Sequence, residues 1–319
     1  MTRATSIATS LDEPLTVLSS RNRPAHSEVE WIVLPLDTDE TTADSHDPTA
    51  GGIAHWAPTG VRGLTDRMAT IAEWVARERP TLFVVDVSIE VALFVRLLGV
   101  DVAVMAMPGD RTDEPHQLAY RAATQIIAPW AQSFYDPPWL HPYAAKTSYV
   151  GAISRFDGRP RESTSTDSTV VVLGGAGGTA LSTSDVGDAA SANAQYRWVP
   201  AGVDDRSWVD DVWPTLCSAT VVVTHAGQNA IADCACAGVP TIVIPQERPH
   251  GEQRATAKAL ETAGVAVLVD GWPDPGTWTS LLTRARALDS AAWGSVRQPG
   301  AAARAARILS SVAESRSAQ

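Results

Sequence analysis

The stretch that most constrains this chain begins in the apolar run at 219–223, which ends in Val221-Val222-Val223. It breaks at Thr224-His225-Ala226-Gly227 and passes straight into Gln228-Asn229-Ala230-Ile231-Ala232-Asp233. Consecutive β-branched valines without alternation read as a strand buried on both faces of a parallel sheet. Gly227 permits a tight turn. The small residues from Asn229 to Ala237, stopped by Gly238 and Pro240, read as a helix. A strand that hands over to a helix at the carboxyl edge of such a sheet points backbone N–H groups at an anion, usually a phosphate. Asn229 and Asp233 stand four apart and share a helix face. A nucleotide fits this layout, with phosphates at the turn and sugar hydroxyls on the carboxylate.

The same strand-helix alternation runs through the chain and predicts an α/β architecture with parallel sheets. Strands are expected at 15–18, 31–34, 82–86, 102–105, 125–128 and 148–150, and again at 169–173, 196–199, 220–224, 241–245 and 265–269. Helices fit at 64–78, 90–98, 115–123, 210–218, 229–237, 252–263, 277–288 and 301–315. With 319 residues there is room for two domains. The polar, aperiodic stretch at 155–168 is the expected linker. It separates a first domain at 1–154 from a second at 169–300, and a last helix at 301–319 is free to pack back on the first. Met1, Ala4, Ile7 or Ala8, and Leu11 keep a helical period, so the chain starts inside a helix. A doubly wound pattern puts a strand and a turn before that helix. The expected reading is a start downstream of the natural one; the alternative is a genuine short N-terminus.

A formal charge of -11 argues against nucleic acid or an anionic membrane as the main partner. No apolar run is long enough to span a bilayer, and the polar, acidic-ended start does not read as a signal peptide. Three cysteines make no disulfide framework, so a reducing cytoplasm is the expected setting. Cys234 and Cys236 read as small packing residues.

Several motifs in order carry a resemblance. Gly174-Gly175-Ala176-Gly177-Gly178 follows the first strand of the second half, and Trp208-Val209-Asp210-Asp211 comes next. Then come Thr224-His225-Ala226-Gly227-Gln228-Asn229 with Asp233 eight residues after the histidine, and Pro245 followed by Glu252-Gln253. This half resembles the nucleotide-sugar domain of inverting GT-B glycosyltransferases. The pattern is similar to the UDP-glycosyltransferases and to the N-acetylglucosaminyltransferase of cell-wall synthesis. The resemblance implies two Rossmann-like doubly wound domains facing a cleft, and a hexosyltransferase. It assigns Gly175, Gly177, His225, Gly227, Gln228 and Asn229 to the diphosphate. It assigns Val209 to the base, Asp233 to the ribose, and Glu252 and Gln253 to the donor sugar. Each element has a plain structural alternative: an ordinary turn for the glycines, a core histidine for His225, a first-turn carboxylate for Glu252. In the family Asp233 is a glutamate, so its carboxylate sits one methylene farther from the ribose, and the Gly- and His-bearing loop that usually carries the base is absent here.

The implied reaction is an inverting displacement that uses a nucleotide sugar, by resemblance a UDP-sugar, without a cofactor. No Asp-x-Asp cluster stands out, so no metal is expected. A base should come from the first half. Asp86, Asp110 and His116 are its candidates; for Asp86 a cap on the next helix is the preferred reading. Arg111 and His116 are read as acceptor contacts or as solvated side chains. The acceptor is a small molecule or a lipid-linked one, met at the inner membrane face in the second case. Trp56, Trp130 and Trp139 stack on it or belong to the core. The competing readings are a non-catalytic nucleotide-sugar-binding homologue or a partner subunit of a second glycosyltransferase, and then an epimerase, whose motifs are not visible.

Overall fold

The computed structural model describes residues 2–24, 28–39, 42, 46–162, 168–175, 178 and 181–317. The first half runs α1 (Thr2–Ala8), β1 (Thr16–Ser19), β2 (Glu30–Val33), α2 (Arg62–Glu78), β3 (Leu82–Asp86) and α3 (Ile89–Leu97). It continues with β4 (Asp101–Met105), α4 (Glu114–Ala122), β5 (Gln125–Ala128) and β6 (Thr147–Tyr149). β1 and β2 form a parallel pair, and β3-β4-β5-β6 lie side by side in a second parallel sheet.

The second half runs β7 (Thr169–Leu173), α5 (Thr183–Ala192), β8 (Arg197–Ala201), α6 (Trp213–Ser218), β9 (Val221–Thr224) and α7 (Gln228–Ala237). Then come β10 (Thr241–Val243), α8 (Glu252–Thr262), β11 (Ala266–Leu268), α9 (Trp278–Arg286) and α10 (Ala301–Ser317). Its sheet is all parallel, in the order β8-β7-β9-β10-β11. The chain leaves β7 toward one edge and returns beside it as β9. That reversal opens a crevice between the carboxyl ends of β7 and β9, where open α/β sheets bind ligands.

The valine runs do not alternate because both faces of this sheet are covered. Val171, Val222 and Val243 pack with α6, α7 and α8 residues such as Leu216, Ile231 and Leu260. Val170, Val172, Val221 and Val223 face the other way, onto Val186 of α5 and Leu281 and Leu282 of α9. The first half repeats this arrangement. Val102, Val104 and Ile126 pack toward α2, α3 and α4. Ala103, Met105 and Ile127 pack against Ile7 of α1 and Ala305, Ala306 and Leu309 of α10. The two ends of the chain therefore cover one face of the first sheet together, and the Arg304 guanidinium fastens α10 to the Val150 carbonyl.

Some features depart from the sequence reading. α5 has a weak apolar period and contains Gly187, so periodicity misses it. It is announced instead by a capping box, in which Ser182 accepts from the Asp185 N–H and Asp185 accepts from the Ser182 N–H. The start of the polar stretch at 155–168 is anchored: Phe156 is buried against Trp213, with ring centroids 5.0 Å apart. Trp130 and Trp139 are core residues, and the Trp139 indole donates to the Gly109 carbonyl at 2.9 Å. All three cysteines are buried and free.

Candidate functional site

The crevice between β7 and β9 is built from bare backbone around one imidazole. Thr224 staples the two strand ends together, its hydroxyl donating to the Leu173 carbonyl at 2.9 Å. A Cβ on Gly175 would lie 3.3 Å from the His225 ring, and a Cβ on Gly227 also 3.3 Å from it. The ring is thus walled on two sides by glycines, where a Cβ would press on it and shift it by a few tenths of an ångström. His225 is 7% exposed, and neither of its ring nitrogens has a hydrogen-bond partner among the described residues. A buried polar group without a partner costs about 1–3 kcal/mol, so such a group calls for an explanation. Gly177 lies outside the described residues.

Burial, aided by the Arg248 charge, pushes the His225 pKa below the ordinary histidine range. The folded protein therefore binds fewer protons here than the unfolded chain does. Stability is then fully present above the unfolded value of about 6.5 and is lost as pH falls below it. We expect the thermal midpoint to fall on acidification through that range, and to fall less in His225→Leu; equal slopes would contradict the shift.

α7 starts at this turn. Its first N–H groups have no helical acceptors and point out of its N-terminus. Asn229 is exposed at the second position. The Gln228 side chain instead reaches across to the first half, accepting from Arg3 Nη1 at 2.7 Å. Asp233 is 4% exposed and sits in an internal network. Its carboxylate accepts from the Ser154 hydroxyl at 2.7 Å and from Arg155 Nε at 3.2 Å. Burial raises its pKa and those two partners oppose the rise. In this structure the carboxylate anchors the segment between the halves.

Around the turn, Trp208 is 56% exposed and Val209 is exposed beside it. They follow the end of β8 and form an apolar ledge. Glu252 opens α8, half-buried, 3.9 Å from the Arg111 guanidinium. Its pKa is raised by burial, against the charges of Arg111, Arg3 and Arg248. Gln253 is buried and its side-chain oxygen accepts from the Gln246 N–H at 2.9 Å, so it braces the loop after β10. Arg248, which sequence reasoning missed, extends from that loop to the Gly178 carbonyl at 3.3 Å. Its signal was its place three residues after Pro245 in a motif already matched. An acidic protein thus gathers Arg3, Arg111 and Arg248 around one crevice.

The facing half contributes the expected base candidates, each with partners. Asp86 ends β3 and is ion-paired to the buried Arg3. It does not cap α3; Ser88 does, accepting from the Val91 N–H. Asp110 accepts from the Thr112 N–H and hydroxyl, which lower its pKa. His116 and Arg111 are both buried, which overturns the solvated reading. Burial pushes His116 down to about 4. Its Nδ1 lies 2.5 Å from Asp113, and its Nε2 lies 3.2 Å from Arg111 Nη1.

Residues 201–271 match the glycosyltransferase family 28 C-terminal domain. Two curated relatives share the name UDP-N-acetylglucosamine–N-acetylmuramyl-(pentapeptide) pyrophosphoryl-undecaprenol N-acetylglucosamine transferase. The one from Corynebacterium diphtheriae is 34% identical over 76 residues, or 24% of this chain and 20% of the relative. The one from Shewanella amazonensis is 31% identical over 121 residues, or 37% of this chain and 32% of the relative. The chain therefore spans at most a third of the length of these relatives. Among solved structures, Os79 from O. sativa in complex with UDP superimposes with a TM-score of 0.64 at 14% identity, covering 99% of this chain and 97% of that one. MurG from Acinetobacter baumannii gives 0.56 at 12% identity, with 89% and 86% covered. The glycosyltransferase SsfS6 of a Streptomyces species, complexed with thymidine diphosphate, gives 0.58 at 15% identity, with 96% and 94% covered. Residues 201–271 are thus similar to the glycosyltransferase family 28 C-terminal domain, and the chain as a whole has the two-domain α/β fold seen in GT-B glycosyltransferases.

Proposed function

We propose that this chain transfers a hexosyl group from a nucleoside-diphospho-sugar to an acceptor hydroxyl, with inversion at the anomeric carbon. The observation that carries the reading is the His225 imidazole, without a hydrogen-bond partner among the described residues and buried between two bare glycines at the β7/β9 crevice. A donor diphosphate supplies the acceptor that the ring N–H lacks. The N-terminal N–H groups of α7 and the Arg248 guanidinium converge on the same charge. As the acceptor oxygen bonds to the anomeric carbon, the bond from that carbon to phosphate breaks on the opposite face. Negative charge then grows on the leaving diphosphate, and these fixed donors stabilise it without reorganising. The ledge of Trp208 and Val209 receives the nucleoside base.

UDP is the first nucleotide to test, because the curated relatives carry it in their names and one structural neighbour is bound to it. Thymidine diphosphate is the second. The acceptor is a small molecule or a lipid-linked one, as in the names of the curated relatives, the latter met at the inner membrane face. No helix among the described residues is long and apolar enough to cross a membrane.

One observation favours a binding protein without catalysis. Asp86 is paired to Arg3, and His116 has a partner at each ring nitrogen, so neither is free to take the acceptor proton. Calorimetry with UDP, followed by assays of UDP release from a panel of UDP-hexoses, separates the readings. The transferase reading expects saturable UDP binding and UDP release. Binding without any release supports the binding protein, and failure to bind any nucleoside diphosphate overturns both.

A further inference from the structure

Next to Arg111 and Glu252, three imidazoles converge on one carboxylate. His55 comes from the loop before α2, Asp113 and His116 from the start of α4, and His250 from the turn before α8. Each residue offers one ligand atom, and the four atoms lie within 4.8 Å of one another. We propose that His55, Asp113, His116 and His250 bind one divalent transition-metal ion, zinc foremost, which ties the donor half to the facing half.

The distances suit a small shift. His55 Nε2 lies 2.8 Å and His250 Nδ1 3.4 Å from Asp113 Oδ2, while His116 Nδ1 lies 2.5 Å from Oδ1. The ring centroids are separated by 4.4, 4.7 and 5.0 Å. Bonds of about 2.0–2.1 Å in a tetrahedral site put ligand atoms roughly 3.4 Å apart. The carboxylate has to draw back by less than an ångström or so from two rings and the remaining gaps have to close. Three nitrogens and one carboxylate oxygen suit zinc, cobalt or nickel better than magnesium or calcium, which prefer oxygen shells.

The backbone that carries these groups is already fixed. The His55 and Trp56 N–H groups both donate to Glu90 Oε1, at 2.7 and 3.0 Å. Asp113 caps α4 by accepting from the His116 N–H at 3.2 Å. His250 holds a left-handed backbone at φ 60°, and its carbonyl accepts from the Asp110 N–H at 2.8 Å. A Cβ on Gly109 would come within 2.3 Å of that carbonyl, so the close docking of the two loops depends on a glycine. A bulky residue in left-handed conformation costs about 1–3 kcal/mol and persists where its surroundings over-determine it.

The proton inventory gives a second consequence. Ligation through His116 Nδ1 moves the ring proton to Nε2, against Arg111 Nη1. Arg111 then gives up that contact and keeps its bonds to the Pro108 carbonyl, at 2.8 Å from Nη2 and 3.2 Å from Nε.

The test uses the full chain, stripped with a chelator and desalted, then titrated with cobalt(II) alone and followed by visible absorption, with zinc(II) as competitor. We expect one cobalt per chain, with the intense bands of a four-coordinate site that zinc abolishes. His55→Gln and His250→Asn should each weaken binding at least about tenfold, the minimum loss seen even when only an outer-shell partner of a metal site is removed. Asparagine tolerates the left-handed backbone, so the second variant keeps the loop. His141→Ala, which removes an imidazole paired with Asp136 outside the cluster, should bind as the parent does. No stoichiometric uptake by the parent chain, or uptake indifferent to both cluster variants, overturns the site. None of these readouts depends on nucleotide binding or turnover.

Discussion

His225→Ala is expected to weaken UDP binding by roughly 10- to 100-fold, the size of a lost hydrogen bond to a charged group. It should leave the thermal midpoint nearly unchanged. The two halves of this expectation rest on the same fact. In the nucleotide-free protein the imidazole is buried and both nitrogens lack partners among the described residues. Removing it therefore breaks no internal hydrogen bond. The small cavity left behind costs packing, and the relief of an unpaired polar group offsets that cost. A core histidine, the plain alternative, would behave the other way, losing stability while nucleotide affinity held. Calorimetric titration and a melting curve on the same preparation separate the two. Unchanged affinity would remove His225 from the phosphate site and leave α7 and Arg248 to account for it.

Much of this architecture was legible in the sequence, because parallel strands buried on both faces announce themselves. Val170 to Val172 and Val221 to Val223 admit few other readings, and the glycines that follow locate the carboxyl edge of the sheet. The side chains at that edge were legible only in part. His225 and Gly175 meet where the order of the motifs led one to look. Asp233 and Gln253 occupy their motif positions, yet the Asp233 oxygens accept from Ser154 and Arg155, and the Gln253 side-chain oxygen accepts from Gln246. Position along a helix tells which face a residue shares, and says nothing of what the neighbouring half brings to that face. The same limit explains Asp86. A carboxylate at a strand end reads as a base or a cap until Arg3, 83 positions away, neutralises it. The histidine cluster was invisible for this reason too. Its members stand at 55, 113, 116 and 250, and only tertiary packing gathers them. α5 is a different kind of miss, since its start was written in Ser182 and Asp185 while its apolar period was not.

The glycine loop at 174–178 offers the sharpest separation of folding from function. Gly174→Ala should destabilise the protein by about 3 kcal/mol or more, the upper range for forcing a group into packed structure. The midpoint should then drop by roughly 5–10 °C. The reason is steric. A Cβ on Gly174 would lie 2.0 Å from the Gly202 carbonyl oxygen, 2.6 Å from its carbon and 2.9 Å from the Val203 nitrogen. All three are backbone atoms, which cannot swing away as a side chain can. Gly174 also continues the β7–β8 ladder, its N–H donating to the Ala201 carbonyl at 2.9 Å. Making room for a methyl group therefore pushes out the exit of β8. Gly202 is bonded in turn to the Ser207 carbonyl, so the shift carries the Trp208–Val209 ledge with it, and nucleotide binding falls together with stability. Gly175→Ala makes the opposite case. Among the described residues its methyl would meet only the His225 ring, at 3.3 and 3.4 Å, and the ring can tilt by a few tenths of an ångström. Stability should then change little, while the ring loses its aim and UDP affinity drops. Melting curves and UDP titrations on both variants decide the matter. If the two alanines cost equal stability, the ring is held as rigidly as the backbone and the glycine at 175 serves the fold alone.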